Sequence, residues 1–337
     1  MFHIHNRRYI GNKYKLLDFI SKTLAQVCID FNTACDIFSG TGVIGNYFLQ
    51  QGKNVIFNDI LYSNFVFYNA WFSKEKYNKN KINQYLDYYN NSNDYIIDNY
   101  FNQTFSGTYF SENNAKKLGS IRNHLEKSKS DLNEREFYIL LTSLLYTTDR
   151  IANTVGHFEA FLSKTPIDKK VNLQPLEIRE FNSNVIIYNQ DANKLIRQLK
   201  CDLLYLDPPY NARQYVNFYH VLENLAEWKQ PAVFGKTLKM ERESKMSDYS
   251  KAKAKNVLQD LILNADCKYI LLSYNNTYQA KSGATINKIT KEEITEILNK
   301  IGSVQIFEEK YKYFNSGKTD FENRHKELLY FCKKETI

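Results

Sequence analysis

"TACDIFSGTGVIGNYFLQQGKNVIFND", residues 33–59, starts as a short apolar strand, turns on glycine, becomes helical through VIGNYFLQQ, stops at Gly52 and returns as a second strand, NVIFND. It reads as a β-turn-α-β unit. At its centre SGTGVIG (39–45) spells G-x-G-x-x-G, in which Gly40 and Gly42 permit a sharp turn and the close approach of a ligand. The free N–H groups of the following helix favour negative charge, and a carboxylate is served there as well as a pyrophosphate. Asp59 ends the second strand, where a carboxylate takes both hydroxyls of a ribose. The letters therefore indicate an adenosine cofactor without saying which one, and a plain tight turn that needs glycine accounts for the same pattern.

Upstream, Leu16, Ile20, Leu24 and Val27 recur at helical spacing, so a helix precedes the first strand. Downstream the alternation stops. From about residue 62 to 182 the text is polar and aromatic (KYNKNKINQYLDYYNNSNDY, a solvated helix or loop) and then helical, with Phe137, Leu141, Leu144, Thr148, Ile151 and Val155 at three-four spacing. Alternation returns with NVIIYNQDA, NKLIRQL, CDLLYLDPPY, a helix through VNFYHVLENLAEW, NVLQDLILNA, CKYILLSYNN and TKEEITEILNKIG, where Thr290 and Glu293 fit a capping box. Two last strand-like runs, SVQIFEEKYKYF and HKELLYFCKK, are expected to pair antiparallel across a turn. The expectation is an α/β chain, a doubly wound sheet closed by a C-terminal antiparallel hairpin, with residues 1–61 and 183–337 as one domain and 62–182 as a mostly helical inserted one.

CDLLYLDPPYNARQY (201–215) narrows the chemistry. A buried strand runs into Pro208 and Pro209, two of only five prolines. They fix the backbone and remove two N–H donors, so the Asp207 and Pro208 carbonyls are held with nothing bonding back. With the Asp207 carboxylate they form an acceptor cluster for an exocyclic NH2, and Tyr210 supplies a face on which a base stacks. An adenine amino nitrogen is a poor nucleophile until its protons are accepted. It can then attack a sulfonium methyl in line, with no covalent enzyme intermediate and no activated thiol. Cytosine C5 methylation needs a nucleophilic cysteine, and none of Cys28, Cys35, Cys201, Cys267 or Cys332 stands in a Pro-Cys setting. Base access from a duplex requires flipping.

The bulk numbers agree. At 337 residues and 43% hydrophobic the chain builds a proper core, and a net charge of +8 suits a polyanionic partner. The five scattered cysteines fit a reduced cytosol and form no metal-ligand spacing, so no metal is expected. No run approaches the roughly 18 apolar residues of a membrane span, so no membrane is expected either.

DPPY, DIFSGTG and the N-terminal RRYIGNKYKLL, in their order along the chain, resemble the alpha-group, Dam-like DNA adenine-N6 methyltransferases that use S-adenosyl-L-methionine. The resemblance implies a Rossmann-like methyltransferase sheet and a recognition insertion. It also implies that Asp207, Pro208, Pro209 and Tyr210 form the catalytic tetrapeptide, Asp207 touching the cofactor as well. Phe38, Gly40 and Gly42 would bound the methionine part in the same turn as Asp36 and Ser39, with Asp59 on the ribose and Asp191 on the cofactor adenine. Asp191 reads equally as a helix N-cap. Tyr9, Gly11 and Lys13 match the family's N-terminal cofactor segment, with Asn12 where many relatives carry a second glycine.

For DNA, the basic loop offers Lys236, Lys239, Arg242 and Lys245, and Arg213, Gln214 and Tyr215 follow the tetrapeptide. TTDRIANTVGHF offers Arg150 and Asn153, the side-chain types that read guanine and adenine edges, beside Asp149, Thr154 and His157. A solvated basic loop and a capped helix end account for the same residues. The leading reading is site-specific N6 methylation of adenine in double-stranded DNA, beside a cognate restriction endonuclease or as an orphan methylase, in a bacterial cytoplasm and on the nucleoid. The same cluster serves RNA adenine or cytosine N4, a binding-only protein would have no use for it, and a nicotinamide dehydrogenase does not explain DPPY.

Overall fold

The computed structural model describes residues 1–277, 286–310 and 326–335. Contacts between Cα atoms divide the chain into two compact units: Lys13–Ile60 with Asn182–Tyr215 and Met246–Ile337, and Met1–Asn12 with Leu61–Phe181 and Val216–Lys245. The second unit thus gathers the expected insertion together with two stretches that the sequence reading leaves in the catalytic domain.

The first unit holds the sheet. Its strands, numbered in chain order, are β1 (Thr33–Asp36), β2 (Asn54–Asn58), β3 (Val185–Tyr188), β4 (Lys200–Leu206), β7 (Asp266–Asn275), β8 (Gly302–Lys310) and β9 (Lys326–Lys334), in the spatial order β3-β2-β1-β4-β7-β9-β8. The first five run parallel, and β9 lies antiparallel between β7 and β8. The C-terminal hairpin is as expected, although the end of its first run and the turn lie outside the described residues. Helices α2 (Val43–Gln50), α10 (Ala254–Leu263) and α11 (Lys291–Asn299) are where their periodicity places them. The capping box at the start of α11 forms, with Glu293 N–H donating to Thr290 Oγ1 at 3.2 Å and Thr290 N–H to Glu293 Oε2 at 2.9 Å. Leu204, Leu206, Ile270 and Leu272 of the central strands pack with Leu258, Leu261, Ile294 and Ile297 of the helices in one dry core. Such near-continuous apolar strands mark a parallel sheet covered on both faces. Strand order reverses between β1 and β4, and the crevice at the carboxyl ends there is where open α/β sheets bind ligands.

The second unit is mainly helical: α3 (Tyr62–Phe72), α4 (Lys79–Asn91), α5 (Tyr100–Phe105), α6 (Glu112–Lys127), α7 (Glu134–Ile151) and most of α9 (Tyr215–Glu227), which kinks at Tyr219. Between β4 and β7 a two-stranded ribbon, β5 (Val233–Phe234) and β6 (Lys239–Met240), joins it. The polar stretch before residue 95 forms helix α4, because Ile82, Leu86 and Tyr89 make one buried stripe on it. Two buried charges tie the segments of this unit together. The Arg7 guanidinium bonds Asn64 and lies over the rings of Tyr9, Phe67 and Tyr219 at 4.7, 4.4 and 5.0 Å. Glu223 accepts the first amides of α3, from Tyr62 at 2.7 Å and Ser63 at 2.9 Å, and pairs with Lys245. One expectation fails: α7 stops at Ile151, and Val155, read as a core position, is 69% exposed. The chain turns extended at Ala152, and Asn153 then binds the loop to itself. Among the described residues no helix is long and apolar enough to cross a membrane.

Candidate active site

Within the sheet unit the glycine turn is built by reciprocal hydrogen bonds. Gly40 (φ 51°) and Gly42 (φ 76°) both occupy the left-handed region, and Gly42 opens α2. Ser39 N–H donates to Asn58 O at 2.9 Å, and Asn58 N–H returns a bond to Ser39 Oγ at 3.2 Å. Ser39 Oγ–H donates to Asp36 O at 2.5 Å. The side chain of Asn58, fully buried, bonds Ile37 O and Gln190 O at 3.0 Å each, which fixes the carboxyl ends of β1, β2 and β3. Asp59 accepts the Gly40 amide at 3.0 Å. The third glycine has a packing reason: a Cβ on Gly45 would fall 2.1 Å from the Phe57 ring. Gly45→Ala should therefore cost about 1–3 kcal/mol by overpacking, read as a lower urea midpoint at unchanged m-value.

Phe38 packs its ring edge-on against Tyr249 at 5.0 Å, and Tyr249 O–H donates to Asn193 Oδ1 at 2.7 Å. Asp191 is an exposed N-cap, accepting Lys194 N–H at 3.0 Å at the start of the short helix α8 (Ala192–Leu195). Both sequence readings of Asp191 are compatible with that position, and the cap is the one formed here.

The tetrapeptide leaves the end of β4. Asp207 Oδ1 lies 2.9 Å from Lys13 Nζ, with side chains 16% and 8% exposed. Burial pushes the Asp207 carboxyl up to about 6, and Lys13 pulls it back only in part. Burial also works against the Lys13 charge, but Asp207, then Glu327 and Tyr210, outweigh it and hold the ammonium well above its ordinary value. Asp36, buried at the end of β1, has its carboxyl raised well above the usual range, first by burial and then by Asp207, with the Gly45 amide and Lys13 as partial offsets. Asp36, Asp207 and Glu327 thus share one buried cation, Lys13, and Asp59 adds its charge to that of Asp207 at Asp36.

The backbone of the tetrapeptide is held on one side and bare on the other. Tyr210 O accepts Lys288 N–H at 2.8 Å and Tyr274 O–H at 3.3 Å, and the Tyr210 ring meets Tyr274 edge-on at 5.7 Å. Among the described residues no donor reaches the Asp207 or Pro208 carbonyl, the arrangement that the two prolines imply. Lys13, Asp36, Asp59 and Asp207 are brought together in this unit, whereas Tyr9 and Gly11 belong to the helical unit, where Tyr9 stacks on Tyr219 at 4.8 Å. Sequence reasoning missed Glu327, Asn58 and Tyr274. For Glu327 the signal was present: one acid directly before the apolar run LLYFC of the same strand.

The nucleic-acid candidates divide. Gln214 is buried, with its amide donating to Ser247 O at 2.9 Å and accepting Ser247 N–H at 2.7 Å, so its polar atoms are engaged within the sheet unit. The Asn153 NH2 is likewise engaged, donating to the carbonyls of Thr108, Leu162 and Lys164 at 3.3, 3.1 and 3.0 Å and closing its own loop. Arg242 braces the ribbon through Asn217 at 2.5 Å and Met240 O at 3.2 Å, and Lys239 is paired with Glu159 at 3.6 Å. Asp149 and Thr154 are buried, and His157 packs edge-on against Phe218 at 5.1 Å. Arg150, Arg213 and Lys236 are exposed, and Tyr215 is half-buried at the start of α9.

A comparison with protein families matches residues 9–286 to the D12 class N6 adenine-specific DNA methyltransferases. The chain belongs to this family. It is 34% identical to the modification methylase StsI of Streptococcus sanguinis over 97% of its own length and 52% of that protein, and 33% identical to the Type II methyltransferase M.FokI of Planomicrobium okeanokoites over 97% and 52%. The Type II methyltransferase M.NlaIII of Neisseria lactamica is 32% identical over 94% of each chain. The chain therefore spans about half the length of two of these relatives and nearly all of the third. Membership in a methyltransferase family implies a methyl donor.

Proposed function

We propose that the chain transfers a methyl group from S-adenosyl-L-methionine to the N6 amino group of an adenine flipped out of double-stranded DNA. The observation that carries this reading is the pair of unengaged carbonyls at Asp207 and Pro208, adjoining a carboxylate and the Tyr210 ring. The adenine amino group donates to Asp207 Oδ and to the Pro208 carbonyl, which moves electron density onto N6. Tyr210 stacks on the extruded base and offsets part of the lost base stacking. Asp207 is ionised above pH 6, and it takes the proton that N6 sheds once methylated.

The residues fit the cofactor. Carboxyl groups outnumber cations around Lys13, which suits a ligand carrying a sulfonium, and the left-handed Gly40 and Gly42 bring no side chain of their own against its methionine part beside Phe38 and Ser39. Asp59 accepts from the ribose hydroxyls, Asp191 from the adenine amino group, and Lys13 meets the methionine carboxylate, with Tyr9 and Gly11 from the same N-terminal segment. When bound, S-adenosyl-L-methionine supplies an electrophilic methyl group that needs no further activation.

The Leu61–Phe181 insertion serves as the DNA-recognition domain, with Arg150 as its exposed contact, and Arg213, Tyr215 and Lys236 are further DNA contacts. A cognate restriction endonuclease is the natural partner, as the Type II names of relatives suggest, and the site of action is chromosomal DNA in a bacterial cytoplasm. Family membership weighs against RNA adenine and cytosine N4 as substrates. Incubating the protein with unmethylated genomic DNA and S-adenosyl-L-methionine, then mapping modified bases by single-molecule sequencing, should show N6-methyladenine in one short motif. Cofactor binding without any methylated DNA base would remove the DNA assignment.

A further inference from the structure

The helical unit carries a second, separate concentration of charge. A cleft of about 430 Å³ opens between the end of α4, the first two turns of α6 and the segment Asp168–Val171, with Lys116, Lys117, Lys169 and Lys170 in its wall. Its one acid is already engaged: Asp168 accepts Ser111 Oγ–H and, at 2.9 Å, the Asn113 amide. Two of the lysines are also occupied, Lys116 by Asp98 at 2.9 Å and Lys169 by the Ile151 carbonyl at 2.9 Å. Lys117 and Lys170 have no carboxylate partner among the described residues. They sit close enough that the Lys117 ammonium is depressed, first by burial and then by the Lys170 charge. Two like charges converging in a cleft whose acid is engaged form an arrangement that an anion relieves.

We propose that this cleft is an anion subsite that takes one phosphate group of the DNA backbone between Lys117 and Lys170. The inference rests on the reading of DNA as substrate and adds to it a contact in the helical unit, on residues to which neither the tetrapeptide nor the basic loop points. A phosphodiester restores charge balance between the two ammonium groups and releases condensed counterions as it binds. It carries no sequence information, so the subsite positions the duplex and leaves base reading to other groups.

The test uses the full chain and a fluorescent duplex, with affinity measured by anisotropy from about 50 to 200 mM salt. In the Lys117→Gln/Lys170→Gln variant the slope of log K against log salt should become shallower by about 1, and affinity should fall about tenfold at the low-salt end. KM for DNA should rise with kcat at saturating DNA and S-adenosyl-L-methionine binding unchanged, and Lys117→Arg/Lys170→Arg should restore the slope. Lys76→Gln/Lys79→Gln removes two exposed lysines of the same unit outside the cleft and controls for bulk charge. A wild-type slope in the cleft variant, or an equal change in the control, overturns the proposal. So does a melting temperature that inorganic phosphate raises in the wild type alone while the duplex slope stays fixed, since the cleft then takes free phosphate. If the wild type itself neither binds nor methylates duplex DNA, the functional reading fails and takes this inference with it.

Discussion

Replacing Asp207 by alanine should lower kcat for N6-adenine methylation by about 10³-fold, the scale of losing a preorganised group that acts on the reacting atoms. On the proposed mechanism, alanine leaves the Pro208 carbonyl in place and takes away both the acceptor for one N6 proton and the group that receives that proton. It also leaves Lys13 buried 8% exposed and without its 2.9 Å partner, so a stability loss of about 3 kcal/mol should accompany the kinetic one. Asp207→Asn separates the two effects. It keeps the side-chain volume, and urea denaturation with far-UV circular dichroism reports whether the fold survives while single-turnover methylation reports the chemistry. A variant that folds and still methylates within tenfold of the wild type would take Asp207 out of the catalytic step.

The second large effect belongs to Lys13. With the carboxyl of Asp207 at about 6, the wild-type rate should fall about tenfold per pH unit below that value, as the carboxylate protonates and stops accepting. Lys13→Met removes the cation that opposes burial. The acid limb should then move to higher pH, and activity near neutrality should drop by about 10²-fold through the protonated fraction and the lost cofactor contact together. The stability profile carries the same sign. A carboxyl whose folded value lies above its ordinary 3.8 makes the folded state bind the extra proton between the two values, so its contribution to stability declines as pH rises from about 4 through about 6. Lys13→Met should widen that window upward. A pH-rate profile that keeps its acid limb at pH 6 in the methionine variant would show that another group sets it.

The local features of this chain were legible because local residues create them. The glycine turn, the apolar strands on either side of it, the two prolines after β4 and the Thr290–Glu293 box each act within a few residues, and each appears where its spelling puts it. What escaped depends on partners far away in sequence. Nothing in HKELLYFC says that β9 will enter the sheet between β7 and β8 or that Glu327 will share a cation with Asp207. Nothing in VNFYHVLENLAEW says that Glu223 will hold the first amides of α3, an attachment that helps group Val216–Lys245 with the helices of the insertion. Gln214 and Asn153 show the converse ambiguity. An amide beside a functional motif reads as a nucleic-acid contact, but the same NH2 and C=O are equally fit to satisfy a loop's own backbone, as both do here.

The position of β9 has a kinetic consequence. β9 follows β8 in the chain yet takes the interior place beside β7, so β8 finds its neighbour only after residues 326–334 have left the ribosome. Until then the edge of β7 stands open, and the centre around Lys13 and Asp207 lacks its Glu327. The charge cluster around Lys13 is completed by Glu327, a residue far from it in sequence, and contacts of large sequence separation are slow to form. A nascent polypeptide that lacks β9 therefore carries the glycine turn and the tetrapeptide without Glu327, and the charge balance around Lys13 waits for that strand.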